Sequence, residues 1–390
     1  MSPIVMLPAR ARAAANWLVQ SWRHLLGAVF AFAAAGIVAI MLFAWSGLYS
    51  VAASSGHWAV VDFFLRFGME SSVRTHAPAL TPPDLSDESL VRLGAGHFHA
   101  GCAFCHGSPG TPVGAAALKM LPPPPELDGK LAEWTDQQLF WIVRHGIKYT
   151  GMPAWPVQGR DDEVWALVAF LRRLPSLDAE SYKALALGEI EPRPETARQI
   201  VSGEDRIDTV EACARCHGLE KGPRSELVPV LHGQPQEMLE MALRAYRNRE
   251  RDSGIMQVAA AELGDKAIRD LAAFYARLPS PTRPSQASTP DESAVGRGAV
   301  LAGRGDPDRQ VPACLTCHGD AGLPAYPRLS GQPQRYLASQ LAAWREGFNA
   351  RTPGGIVMAP IARRLTPQQV ADAAAYFASL PLPAPAQARR

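Results

Sequence analysis

Six cysteines occur in this chain of 390 residues, and all six fall in three copies of one pattern, Cys-x-x-Cys-His. The copies are Cys102-Ala-Phe-Cys105-His106, Cys213-Ala-Arg-Cys216-His217 and Cys314-Leu-Thr-Cys317-His318. On a helical turn, residues three and four apart share a face. Two thiols so placed can each form a thioether with a vinyl group of one porphyrin while the adjoining imidazole reaches the iron. The pattern is the attachment signature of a c-type haem. Two other chemistries use the same residue types. A zinc site would pair two such motifs and leave the third alone, and a thioredoxin-type dithiol needs no histidine directly after it. With three copies and no cysteine left over, the spacing predicts three covalently bound haem c groups, with His106, His217 and His318 on the irons.

Aligning the chain on these motifs exposes a longer repeat, the feature to seek first in a sequence of this length. Downstream of each motif lies Pro-x-Leu-x-Gly, at Pro125–Gly129, Pro229–Gly233 and Pro327–Gly331. A methionine follows (Met152, Met256, Met358), and each unit closes on Leu-Pro at Pro175, Pro279 and Pro381, always 23 residues after the methionine. That constant spacing singles out Met152, Met256 and Met358 as the ligands opposite the histidines, a pairing that gives six-coordinate iron and raises its potential. Met120, Met238 and Met241 have no counterpart in the other units. Met120 reads as a loop residue, and the other two as filler in a helical stretch. A ligating imidazole usually donates its second nitrogen to a fixed carbonyl, so a backbone carbonyl near Pro125, Pro229 or Pro327 is expected to receive it. Those prolines also serve simply to turn the loop.

The elements that must hold these residues are helices. VWALVAFLRRL, AIRDLAAFYARL and VADAAAYFASL carry apolar residues at helical spacing with an aromatic near the end. Thr366-Pro367 offers an N-cap followed by proline at the first helical position. The predicted units are residues 84–177, 195–279 and 291–382, joined by linkers at 178–194 and 280–290, with a tail at 383–390. By unit, basic and acidic residues number 8 and 10 over 84–175, 12 and 14 over 195–279, and 11 and 7 over 291–390, so the last is the basic one. That excess can steer an acidic partner or simply be a solvated face. A formal net charge of +2 gives no reason to expect nucleic acid.

Ahead of the repeat, Arg10, Arg12 and Arg23 in a basic segment (1–24) precede an almost wholly apolar run at 25–49. About 20 apolar residues cross a bilayer as a helix, and arginines before the span put that end in the cytoplasm. Trp22, Trp45 and Tyr49 sit where interfacial aromatics usually lie. A cleaved signal peptide, with Val51-Ala52-Ala53 as its site, is the alternative, but its apolar region is usually 7 to 15 residues long. The expectation is a single-pass anchor in the inner membrane with everything after it exported to the periplasm. Between anchor and first unit (50–83), HWAVVDFFLRFGM at 57–69 reads either as an amphipathic helix on the membrane face or as a segment packed on the first unit.

Taken together, each unit resembles a class I cytochrome c domain: an N-terminal Cys-x-x-Cys-His, a distal methionine and a C-terminal aromatic helix. Units two and three, with CHG followed by LHGQPQ or LSGQPQ, are similar to the tandem di-haem cytochromes of the c-four type. Unit one, with HGIKYTGMPAW, is more like the mono-haem domains of oxidase and dehydrogenase subunits. The resemblance covers about 290 of 390 residues and implies an all-α chain, three tandem class I cytochrome c domains after an N-terminal transmembrane helix. In such domains the first helix commonly crosses the last through a glycine against an aromatic. Gly94 or Gly96 and Gly298 are available for this, whereas unit two offers only Gly203, late in its segment.

Three functional readings follow. Irons filled by His and Met leave no position for substrate, which suits an electron relay between a quinol-oxidising complex and a terminal oxidase. The same features suit the cytochrome subunit of a periplasmic dehydrogenase complex. A haem peroxidase or reductase requires one methionine not to bind. The expectation is an electron-transfer protein with no catalytic residue of its own.

Overall fold

The computed structural model describes residues 9–188, 208–281, 291–319 and 325–382, and among them there are helices and no β-sheet. The chain divides into two compact bodies, Met1–Asp62 and Phe63–Arg390.

The first body is dominated by α1 (Ala9–Ser46), whose segment Gln20–Ser46 contains an 18-residue window of mean hydropathy 2.6 with none of its residues buried. It is apolar and long enough to cross a membrane. After α1, Trp58 folds back on Tyr49 and Phe43, with ring centroids 5.1 and 6.1 Å apart. The Tyr49 hydroxyl lies 2.8 Å from His57 Nδ1. Helix α2 (Ala59–His76) follows; Val60, Phe63, Phe64 and Phe67 on it are exposed and Val73 is buried.

In the second body, unit one contains α3 (Glu88–Gly101), α4 (Ala103–His106), α5 (Asp136–His145), α6 (Asp161–Arg173) and α7 (Ala179–Ala186). Asp87 caps α3, and Thr135 with Gln138 forms a capping box on α5. The core sits where α3 crosses α6: Phe98 and Phe170 lie 5.0 Å apart, both fully buried. Of the two glycines available for that crossing, Gly94 makes it. A Cβ there would collide with the Ala166 carbonyl and stand 2.8 Å from Phe170 Cβ. Gly96 faces elsewhere, its missing Cβ 3.1 Å from Cys216 Sγ of unit two.

The segment 178–194, expected as a linker, carries α7 as far as it is described. Asp178 caps the helix, and Tyr182, Ala186 and Leu187 enter the unit-one core. Arg224 of unit two donates to the carbonyls of Ala184 and Leu185 at the end of α7, 2.6 and 3.1 Å away. A cation at a helix C-terminus satisfies carbonyls that the helix itself leaves open.

Unit two contains α8 (Asp208–His217), α9 (Gln236–Arg247), α10 (Gly254–Ala260) and α11 (Asp265–Arg277). Its expected crossing glycine, Gly203, lies outside the described residues, as do most of the linker at 280–290 and the tail at 383–390. Unit three contains α12 (Glu292–Arg304), α13 (Leu315–His318), α14 (Gln334–Glu346), α15 (Pro353–Arg364) and α16 (Pro367–Ser379). Thr366 caps α16 in a box with Gln369, with Pro367 at the first helical position. Helix α12 crosses α16 at Gly298, where a Cβ would strike the Asp372 carbonyl and stand 2.7 Å from Tyr376 Cβ. Beside the crossing, Arg297 grips buried Asp372 with two bonds of 2.8 and 2.9 Å and holds its carboxyl below the usual range.

The crossing gives a paired prediction within α12. Gly298→Ala should destabilise unit three by about 1–3 kcal/mol, because two backbones must separate. Gly296→Ala, where a Cβ meets nothing within 4 Å, should instead stabilise it by up to about 1 kcal/mol through helix propensity. Urea unfolding of the two variants measures both signs.

Candidate haem sites

Each Cys-x-x-Cys-His lies on or directly after a helix. In unit one, Cys102 ends α3 and starts α4, its N–H donating to Phe98 O at 2.9 Å while His106 N–H returns to Cys102 O at 3.0 Å. In unit two, α8 runs through both cysteines to His217, and in unit three α13 begins just after Cys314. None of the six cysteines is in a disulfide. Burial pushes the Cys102 and Cys213 thiols up to about 12 and raises Cys314 as well. A redox-active dithiol requires the opposite shift. Among the described residues no group of three or more His, Cys, Asp or Glu side chains is placed to hold a metal.

The three histidines share one geometry. His106 Nδ1 lies 3.0 Å from Pro125 O, His217 Nδ1 3.0 Å from Pro229 O, and His318 Nδ1 2.9 Å from Pro327 O. A carbonyl only accepts, so the proton sits on Nδ1 and Nε2 is left with its lone pair. Burial lowers the His217 pKa to about 4, against the Pro229 hydrogen bond that favours the proton, and the His318 pKa is lowered too, again by burial and against its bond to Pro327. A neutral imidazole with a free Nε2 and a fixed ring is the form that binds iron. Two free cysteines beside it complete a donor set that fits haem c.

Pro-x-Leu-x-Gly explains how the carbonyl is held. Leu127, Leu231 and Leu329 each pack on the core of their unit. Gly129, Gly233 and Gly331 all take positive φ, between 66° and 76°, which a side chain would strain. Gly233 N–H donates to Tyr275 O and Gly331 N–H to Phe377 O, tying both loops to the last helix of their units. Leucine anchors the loop, glycine reverses it, and the carbonyl between proline and the next residue faces the imidazole.

Met152 lies in the loop after α5, held by its N–H to Thr150 Oγ1 at 3.1 Å. Met256 lies on α10, whose N-cap Ser253 accepts from Met256 N–H at 3.1 Å, and Met358 lies on α15, capped by Thr352. Met238, on α9, packs against the cluster of Leu239, Ala272 and Tyr275. Met120 lies in a loop, as expected, and its Sδ would stand 2.7 Å from a Cβ at Gly151, next to Met152.

Sequence reasoning missed a polar hub that joins the three methionine segments. Buried Glu163 on α6 accepts from Ser253 Oγ at 2.5 Å, Gly254 N–H at 2.7 Å and Trp155 Nε1–H at 3.2 Å, and pairs with Arg160 at 3.2 Å. Burial raises its pKa, while Arg160 and the donors from Ser253 and Gly254 oppose the rise. Arg160 also donates to Asp252 O at 2.5 Å. Asp252 and Asn349 exchange two bonds, Asp252 N–H to Asn349 Oδ1 at 2.6 Å and Asn349 N–H to Asp252 Oδ2 at 2.8 Å. The Asn349 carbonyl accepts from Thr352 Oγ at 2.9 Å. The caps of both methionine-bearing helices, and Trp155 three residues after Met152, thus meet at one place. Only tertiary pairing reveals this, since none of these residues repeats from unit to unit.

The profile of the cbb3-type cytochrome c oxidase subunit III family matches residues 76–171, and that of the cytochrome c family matches 309–381. A thiosulfate dehydrogenase electron acceptor from Stutzerimonas stutzeri is 37% identical over 173 residues, 43% of this chain and 79% of the relative. The chain belongs to the c-type cytochromes. A cytochrome c4 from Thiocapsa roseopersicina is 33% identical to this cytochrome over 46% of the chain and 91% of the relative. A solved cytochrome c4 from Acidithiobacillus ferrooxidans is 32% identical over 43% of this chain and 98% of that one, with a TM-score of 0.39. This cytochrome is therefore an electron-transfer protein whose domains bind haem c covalently.

Loss of the hub carboxylate should be costly. Glu163→Ala leaves Trp155 and two donors of unit two without this acceptor and leaves Arg160 only Asp162 and the Asp252 carbonyl, and should destabilise the second body by about 3–5 kcal/mol. Glu163→Gln keeps the shape but turns an amide N–H₂ toward donors, for a loss of about 1–3 kcal/mol. Denaturant midpoints in that order test the hub; equal stability of Glu163→Ala and the parent chain would remove it.

Proposed function

We propose that this cytochrome is a membrane-anchored relay of three haem c groups carrying electrons between a quinol-oxidising complex and a terminal oxidase. Cys102 with Cys105, Cys213 with Cys216, and Cys314 with Cys317 hold the haems through thioethers. His106, His217 and His318 bind the irons through Nε2, and Met152, Met256 and Met358 take the opposite faces. The units are 84–177, 195–279 and 291–382. Gln20–Ser46 anchors the chain in the inner membrane, with the haem units on the periplasmic side.

The observation that carries this reading is the histidine–proline bond made three times over, each leaving Nε2 free beside two cysteines outside any disulfide. A haem with His and Met on its two faces supplies one-electron transfer and keeps no position for substrate. The chain's own part is to fix the imidazoles, exclude water by burial and hold the three units together. The likeness of residues 76–171 to an oxidase subunit family supports an oxidase as the acceptor. A second reading, a cytochrome subunit taking electrons from a periplasmic dehydrogenase, is favoured by the likeness to a thiosulfate dehydrogenase electron acceptor.

The haem assignment is tested on the purified chain. The pyridine haemochrome assay should count three haems, and a count of two removes one motif. Met256→Ala should turn one haem of three high-spin and open it to small exogenous ligands, whereas Met238→Ala should leave the spectrum unchanged. The reverse outcome would move the ligand to α9.

The partner is tested by isolation from detergent-solubilised membranes. An oxidase recovered with the chain supports the relay to oxygen. A stoichiometric dehydrogenase subunit with no oxidase supports the second reading in its place.

A further inference from the structure

Units two and three are clasped by two glutamines that stand at matching places in the repeat, directly after the glycine of Pro-x-Leu-x-Gly. Both are almost fully buried, Gln234 at 4% and Gln332 at 3% exposure. Gln332 of unit three reaches into unit two, where its Oε1 accepts from Val230 N–H at 3.0 Å and its Nε2 donates to Val230 O at 2.8 Å. Gln234 of unit two does the same in unit three, with Oε1 accepting from Arg328 N–H at 3.0 Å and Nε2 donating to Arg328 O at 2.8 Å. The two sets of distances are the same, so the clasp has local two-fold character.

Val230 follows Pro229, and Arg328 follows Pro327. The N–H that each glutamine engages therefore belongs to the same planar peptide whose C=O accepts from the histidine of the other unit. An acceptor on the N–H of a peptide increases the negative charge on its oxygen, so hydrogen bonds in such a chain strengthen one another. One chain runs from Gln332 Oε1 through the Pro229–Val230 peptide to His217 Nδ1. Its mirror runs from Gln234 Oε1 through the Pro327–Arg328 peptide to His318 Nδ1. A stronger bond from Nδ1–H makes the imidazole a more basic ligand, and hydrogen bonding around the axial ligands is one means by which a protein sets haem potential.

We propose that Gln332 and Gln234 are positioning residues acting crosswise: Gln332 in unit three sets the potential of the haem on His217, and Gln234 in unit two sets that of the haem on His318. Each unit's potential then depends on its neighbour being docked. Separation of the two units would weaken both imidazole hydrogen bonds together and raise both potentials. The inference rests on the haem assignment proposed above.

The experiment is a spectroelectrochemical titration of the full-length haem-loaded chain and its variants. Haems two and three are told apart by the spin-state markers of Met256→Ala and Met358→Ala introduced into each background. Gln332→Met keeps the bulk of the side chain and removes both its amide bonds. It should raise the potential of the haem on His217 by an amount equal to about a two- to tenfold change in its reduction equilibrium, tenfold being about 59 mV for one electron. The haem on His318 should stay within a smaller shift. Gln234→Met should give the mirror result. Gln332→Glu restores an acceptor for Val230 N–H and should return the potential to the parent value or below, which a purely structural clasp would not do. Potentials unmoved in both Met variants overturn the proposal, as does a shift confined to the unit that carries the substitution. Should Gln332→Met fail to accumulate, the Gln234→Met and Gln332→Glu chains decide the matter by the same criteria. A chain with fewer than three haems defeats the tri-haem reading instead, and three haems with unmoved potentials defeat only the clasp.

Discussion

The hydrogen bond from a histidine Nδ1 to a loop carbonyl is the constraint on which the second body depends. It decides which imidazole nitrogen carries the proton and so which one is free to bind iron. It works only if the carbonyl is held still. A leucine packed on the core, a glycine in the left-handed region and, in units two and three, a bond from that glycine to the last helix hold it. The crossing helices in turn need Gly94 and Gly298, since a Cβ at either would push the backbones apart. Loop geometry and ligand chemistry are thus one arrangement made three times, and the glycine crossing behind them is seen in units one and three.

The units are joined by buried polar groups, where such contacts are costly unless complete. The desolvation of Glu163 is offset by a guanidinium and three further donors from two units. Removing a partner leaves the buried carboxylate with fewer donors, so the hub favours one relative placement over its neighbours in a way that an apolar contact of the same area would not. For an electron relay this matters because the separation of the redox centres follows from how rigidly the units are joined. The caps of the two methionine helices lie within that hub, which links the placement of each unit to the methionine side of its candidate haem site.

Two kinds of polar contact therefore divide the work. The glutamine clasp joins units two and three on the histidine side, through the peptides that follow Pro229 and Pro327. The Glu163 hub and the Asp252–Asn349 exchange join all three units on the methionine side. Both sets of contacts come from a neighbouring unit.

By itself the sequence determined the cofactor chemistry, because Cys-x-x-Cys-His is local and its meaning lies in the spacing on a single helical turn. Repetition determined more: three Pro-x-Leu-x-Gly segments and three equal spacings from methionine to Leu-Pro marked out the loops and closing helices. The apolar run before them was equally legible from length and composition. Tertiary structure alone decided the rest. It chose Gly94 over Gly96 for the helix crossing, since the two glycines are equivalent until a partner helix takes one face. It drew α7 out of an expected linker, because Tyr182 and Leu187 find a core only when unit one is folded. It also gave Gln234, Gln332 and Glu163 their partners. Their bonds between units join residues 90 to 102 positions apart, and no local pattern records which surface a folded unit will meet.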